Sequence, residues 1–170
     1  MRPAYGAKES DICEQQAIRA AIIVDVANVM GSRPDGWWRD RPGAAVRLHA
    51  EIAALAARGR PVLPGDGEPE EFVMVLEGAT KAARIATAQD VTQDVTQDGA
   101  QGVTQDGAQE DGVRVVRADG SGDDAIVALV RELPGRRAVV TADRELRRRC
   151  EAAGAEVFGP GWLIGLLRAH

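Results

Sequence analysis

The sequence predicts an α/β fold with helices on both faces of a mainly parallel sheet, and three observations carry that prediction. The first is an apolar run in AAIIVDVANV, residues 20–29, which lacks the polar alternation of a half-solvated strand. The second is the return of similar short runs at 71–76 (EFVMVL), 113–117 (VRVVR), 138–141 and 155–158. The third is the helical periodicity lying between those runs. Strands alternating with helices through short turns build three layers around a parallel sheet.

Taken in order, residues 1–17 are polar and mixed and are expected to form a flexible arm. The single folded domain is expected to begin at residue 18 and run to residue 170. After the first strand, GSRPDGWWRDRP (31–42) carries Gly, Pro, Asp and Arg and predicts a long loop. From Gly43 the spacing turns helical, with Val46, Leu48, Ile52 and Leu55 on one stripe, and Arg58-Gly59-Arg60-Pro61 ends it. Val62 and Leu63 are candidates for a brief extended piece. The second strand at 71–76 precedes a short helix expected at 80–86. The third strand leads to an amphipathic helix at 121–133, with Ile126, Leu129, Val130 and Leu133 on one face and Pro134-Gly135 after it. The fourth strand is followed by a helix at 144–153, for which Gly154 is a natural C-cap. The fifth strand and a helix at 162–168 finish the pattern.

Residues 88–111 break it. The unit VTQD occurs at 91–94, 95–98 and 103–106, and VTQDGAQ recurs at 95–101 and 103–109. This stretch is too polar to offset the entropy of ordering it, so a disordered low-complexity insertion is expected. It also accounts for the charge. The chain has a formal net charge of −5, from 26 acids and 21 bases. Six of the acids (Asp90, Asp94, Asp98, Asp106, Glu110, Asp111) lie in the insertion, which has no base. The remainder is close to neutral, which permits a nucleic-acid partner without the usual strongly basic footprint.

Other classes are excluded or unsupported. No apolar run reaches about 18 residues, so no membrane-spanning helix is expected. The opening MRPAYGAKESDICEQQ has no apolar core of a secretory signal. Cys13 and Cys150 stand alone and make no C-x-x-C motif, so a reducing cytoplasm is the expected location. There is no G-x-G-x-x-G after the first strand and no G-x-x-x-x-G-K-[ST] anywhere, so no nicotinamide or flavin cofactor and no P-loop chemistry is expected. No Ser or Cys sits at a nucleophile elbow. His49, in the first long helix, and the terminal His170 suggest no ligand set.

In an open parallel sheet, ligands bind beyond the carboxyl ends of the strands. Four strands deliver acids there: Asp25 with Asn28 after the first, Glu77 after the second, Asp123 and Asp124 after the third, and Asp143 after the fourth. Converging carboxylates repel one another unless a hard cation such as Mg²⁺ or Mn²⁺ neutralises them. A cation so held activates water and stabilises charge on a phosphate, the chemistry of phosphodiester hydrolysis. Each acid also has a structural alternative. Ser121 with Asp124 matches a capping box, Asp143 matches a helix N-cap, and Glu77 beside Gly78 matches an exposed turn. Asp25 has fewer alternatives, because a carboxylate inside an apolar run is costly without a partner.

The blocks IIVDVANVMGS (22–32), GSGDDAIVALV (120–130) and VVTADRELRRR (139–149) resemble the PIN-like nucleases, and most of all the NYN branch related to YacP-type bacterial ribonucleases. The resemblance covers roughly residues 20–160. It implies a Rossmann-like sheet of order 3-2-1-4-5 and an Mg²⁺- or Mn²⁺-dependent ribonuclease acting on RNA. By position it implies that Asp25, Asp124 and Asp143 bind metal and that Asn28 orients Asp25 or touches substrate. Asp123 can stand in for Asp124, and Glu77 matches the acid after the second strand. Val26-Ala27 departs from the Gly-x found in many relatives, and the acidic insertion has no counterpart.

Candidate RNA contacts are Arg33, Trp37, Trp38, Arg39 and Arg41 in the loop after the first strand, since Trp stacks on unpaired bases and Arg pairs with phosphates. Ser121, Thr141 and Arg144 flank the acids and are further candidates. Arg147-Arg148-Arg149 reads as a solvated helix face. Two other functions fit the same residues: a non-catalytic RNA- or protein-binding module, and hydrolysis of a small nucleotide.

Overall fold

The computed structural model describes residues 20–59, 62–65, 69–85 and 112–169, with backbone only at 69 and 70. The expected arm at 1–17 and the insertion at 88–111 lie outside the described residues. Five strands are present: β1 (Ala20–Asp25), β2 (Pro69–Leu76), β3 (Val113–Arg117), β4 (Arg136–Val140) and β5 (Glu156–Phe158). They form one sheet of order β3-β2-β1-β4-β5, and every pairing is parallel. The helices are α1 (Val26–Gly31), α2 (Arg41–Ala56), α3 (Gly122–Glu132), α4 (Arg144–Ala152) and α5 (Pro160–Arg168). Two 3₁₀ turns, Trp37–Arg39 and Gly78–Ala82, complete the described elements.

The strand alternation sorts the core into two clusters. Ile22, Val24, Phe72, Met74, Leu76, Ala138 and Val140 face one side, where α1, α2 and α5 cover them with Met30, Leu48, Ile52 and Leu163. Ile23, Val73, Val75 and Val139 face the other, under α3 and α4 with Ile126, Val130, Leu146 and Cys150. Both faces of β1 are therefore covered, and all six of its residues are buried, as its unbroken apolar run requires.

Several local expectations shift. The first strand ends at Asp25, and Val26-Ala27 open α1 at once instead of forming a turn, with Val26 buried. The loop at 31–42 contains the Trp37–Arg39 turn, and α2 begins at Arg41, ahead of Gly43, because Asp40 accepts from the Gly43 amide at 2.9 Å and caps it. Val46 lies off the buried stripe of α2 and is exposed. Val62 and Leu63 form no strand. The helix expected at 80–86 is the shorter 3₁₀ turn Gly78–Ala82. Gly154 ends α4 with φ +88, a conformation that favours glycine.

Phe72 on β2 is 2 % exposed within the first cluster. Phe72→Ala is expected to cost about 3–5 kcal/mol of stability, read from chemical denaturation of the two proteins.

Candidate active site

β1 and β4 adjoin at the point where the chain's direction of winding across the sheet reverses. Strands β2 and β3 build outward on one side, and β4 and β5 on the other. A crevice opens beyond the strand ends at such a point. Asp25 ends β1 there, and Thr141 follows the last residue of β4. The Thr141 hydroxyl donates to Asp25 Oδ2 at 2.8 Å, bridging the two strands.

Register explains which side chains meet. Side chains alternate faces along a strand. Asp25 continues the series of Ile23, Glu77 that of Val73 and Val75, and Thr141 that of Val139. All three therefore emerge on the face covered by α3 and α4. Those helices start at the same edge, so their first turns bring Asp123 and Asp143 to it. The helical phase selects Asp123. It lies three, four and seven residues before the buried Ile126, Val127 and Val130, whereas Asp124 precedes the exposed Ala128 and Arg131. Asp143 likewise leads the buried Leu146 and Cys150.

Each acid is held differently. Asp25 is 5 % exposed. Its Oδ2 also accepts from Asn28 Nδ2 at 2.7 Å, and its Oδ1 from the Asn28 amide at 3.1 Å, which caps α1. Burial raises the Asp25 pKa, the bonds from Thr141 and Asn28 oppose that rise, and the nearby charge of Glu77 adds to it. Glu77 Oε2 accepts from the Gly122 amide at 2.9 Å, tying the end of β2 to the start of α3. A Cβ at Gly122 would lie 2.5 Å from that oxygen, so a side chain there would push the Glu77 carboxylate from this bond. Asp143 Oδ1 accepts from the Leu146 amide at 2.8 Å as the N-cap of α4. The Asp143 amide in turn donates to Thr141 Oγ1 at 3.1 Å. Asp123 is raised by partial burial and then by the charges of Asp143, Asp25 and Glu77, with Arg149 opposing. These four acids thus share one electrostatic neighbourhood.

Asp124 stands apart from it. Its carboxylate pairs with Arg149 at 2.5 Å on the surface between α3 and α4. Of the expected substrate contacts, Thr141 is fully buried and positions Asp25. Arg33 is paired through both terminal nitrogens with Glu51, at 2.8 and 3.1 Å. Arg41 lies over the Trp37 ring at 5.4 Å, and Trp37 packs against the core. Ser121 precedes α3 without capping it through its side chain, and both Ser121 and Arg144 are exposed beside the acids. Trp38 and Arg39 are also exposed. The sequence reading did not anticipate the anchoring role of Gly122; the G-D-D run after Ser121 was its only signal.

An all-oxygen set of this kind suits a hard divalent cation. Among the described residues, no group of three or more His, Cys, Asp or Glu side chains forms a ready-made metal cage. Mg²⁺ commonly takes only one or two carboxylates and keeps its remaining waters. Asp123 and the free oxygen of Asp143 fit that mode, beside Asp25, whose two oxygens both already accept hydrogen bonds.

The comparisons with known proteins bear on the fold. No family model and no curated protein matches the sequence. Among solved structures, the chain is similar to Rae1 (YacP) from Bacillus subtilis. Two crystal structures of that protein, one of a point variant, superpose with a TM-score of 0.56 at 14% identity. The match covers 88% of this chain and 76% or 74% of theirs. At this identity the likeness establishes a shared fold: the parallel sheet of order 3-2-1-4-5 with flanking helices.

Neutralising Asp123 tests the shared electrostatics. Its pKa is higher folded than unfolded, so its ionisation costs stability as pH rises above the unfolded value of 3.8, and below that value the effect is absent. Asp123→Asn is expected to raise the thermal midpoint at pH 7 by something on the order of 1–4 °C. The gain should shrink as the pH approaches 4, as scanning calorimetry across that range would show.

Proposed function

We propose that this chain is a metal-dependent ribonuclease that hydrolyses RNA phosphodiester bonds at the edge of the sheet between β1 and β4. The observation that carries this reading is Asp25. It is a buried carboxylate at the reversal point of the sheet, fixed by Thr141 and Asn28, with the charge of Glu77 acting on it and with Asp123 feeling Asp143, Asp25 and Glu77 together. The fold shared with Rae1 (YacP) supports the same reading.

The assigned roles follow from the contacts. Asp25 would face Mg²⁺ or Mn²⁺ with oxygens that also accept from Thr141 and Asn28, which set its position from both sides. Asp123 and the free oxygen of Asp143 are the further ligands. Glu77 holds the start of α3, and with it Asp123, in place through the Gly122 amide. When bound, the cation supplies Lewis-acid stabilisation of the phosphate and makes water a competent nucleophile. Arg144, exposed next to Asp143, is the cation available to a phosphate on the substrate side. Asn28 holds Asp25 through its amide nitrogen and is a positioning residue.

A labelled single-stranded RNA incubated with the purified chain and Mn²⁺ tests the assignment. Asp25→Asn and Asp143→Asn are expected to lose cleavage by on the order of a hundred-fold or more while keeping the wild-type circular dichroism spectrum. Asp124→Asn removes only an exposed ion pair and should stay within about three-fold of wild type. Full cleavage by both Asp25→Asn and Asp143→Asn would remove the reading.

A further inference from the structure

Resting on the nuclease reading of the acidic site, we propose that Trp38 is a stacking platform for an unpaired base, with Arg39 beside it for the adjoining phosphate, so that the protein engages single-stranded RNA in preference to duplex. The two tryptophans are neighbours in sequence but have different roles. Trp37 packs against the core cluster. Trp38 is 56% exposed, against the strong tendency of this large apolar side chain to be covered. The rings meet edge to face, with centroids 6.3 Å apart and planes at 86°. A single edge-to-face contact leaves Trp38 at least one open ring face.

The exposure is built into the backbone. Asp35 Oδ1 accepts from the Trp37 amide at 3.1 Å, and Gly36 takes φ +78, which turns the chain outward. The Arg39 amide donates to the Gly36 carbonyl at 3.0 Å, and Asp40 then caps α2. Arg41 over the Trp37 ring closes the inner side. Trp38 is therefore displayed from a fixed turn, and little ordering cost remains to be met when a ligand stacks on it.

The charge beside the ring points to a nucleic-acid occupant. The loop acids Asp35 and Asp40 both accept backbone amides, whereas Arg39 has no ion pair among the described residues. An aromatic face next to an uncommitted guanidinium matches the base and phosphate of a single strand. In an A-form duplex the bases are stacked on one another, and none is free to lie on the ring. The platform belongs to the connection that leaves β1: α1 begins directly after Asp25, and the Trp37–Arg39 turn follows it.

Fluorescence anisotropy with the full chain in EDTA tests the platform without cleavage. The probes are a short single-stranded RNA of mixed sequence and the same RNA annealed to its complement. The wild type is expected to bind the single strand more tightly than the duplex. Trp38→Ala should weaken single-strand binding about ten-fold or more, and Trp38→Phe should restore part of it. Equal binding of the single strand by Trp38→Ala and wild type would overturn the proposal, as would no binding of it by wild type. Asp25→Asn separates the two readings. Retained, Trp38-dependent binding in a wild type that never cleaves with Mn²⁺ would end the nuclease reading and leave the platform standing. Acid-dependent cleavage with no effect of Trp38→Ala on binding would end the platform alone.

Discussion

The hydrogen bond from the Thr141 hydroxyl to Asp25 is the contact on which the arrangement of this molecule turns. It spans the two strands at which the sheet reverses its winding, and it lies at the end of a fully buried strand. An ionised carboxylate in that position would be costly without donors. Thr141 and Asn28 supply three of them, from β4 and from α1. The same Thr141 oxygen accepts the amide of Asp143, so one hydroxyl orients both the acid that ends β1 and the acid that starts α4. Burial, helped by the charge of Glu77, still outweighs these donors, and the carboxyl remains harder to ionise than a free aspartate.

That tension extends to the surrounding acids. Asp143 and Glu77 each anchor the start of a helix through a backbone amide, while Asp123 is left to face its neighbours. Capping and ligation are not alternatives at these positions. A capped carboxylate keeps an oxygen free, and the cap fixes where that oxygen points. The fold thus holds like charges close together through local bonds that each have an ordinary structural purpose. Two arginines are paired elsewhere, Arg149 with Asp124 and Arg33 with Glu51.

Much of this was legible in the residues. The unalternating run IIV, with a charge at its end, marked a strand covered on both faces and the buried acid that ends it. Four strand ends carrying acids marked one edge of the sheet. The difference between Asp123 and Asp124 was also open to inspection, because the apolar residues of α3 fix its inward phase, but the resemblance carried Asp124 over by position, with Asp123 as its stand-in. What could not be read lies in long-range pairing. Arg33 is matched by Glu51, eighteen residues away in sequence, so a residue that looked like a phosphate contact is committed to α2. Thr141 looked like a substrate contact because its burial depends on the registry of β4 against β1 and on the covering helices. Trp37 and Trp38 are identical as letters, and only the turn set by Asp35 and Gly36 buries one and displays the other.

The central claim is that Asp25 and the acids around it form a cation site whose mutual repulsion a divalent ion relieves. The most direct measurement is the thermal unfolding midpoint of the chain during a Mn²⁺ titration, compared with an Asp25→Asn/Asp123→Asn double variant. An ion bound only by the folded state raises the midpoint progressively with its concentration. The account predicts such a rise in the wild type and a flat response in the double variant. A wild type unmoved at millimolar Mn²⁺, or a double variant that rises equally, would contradict it.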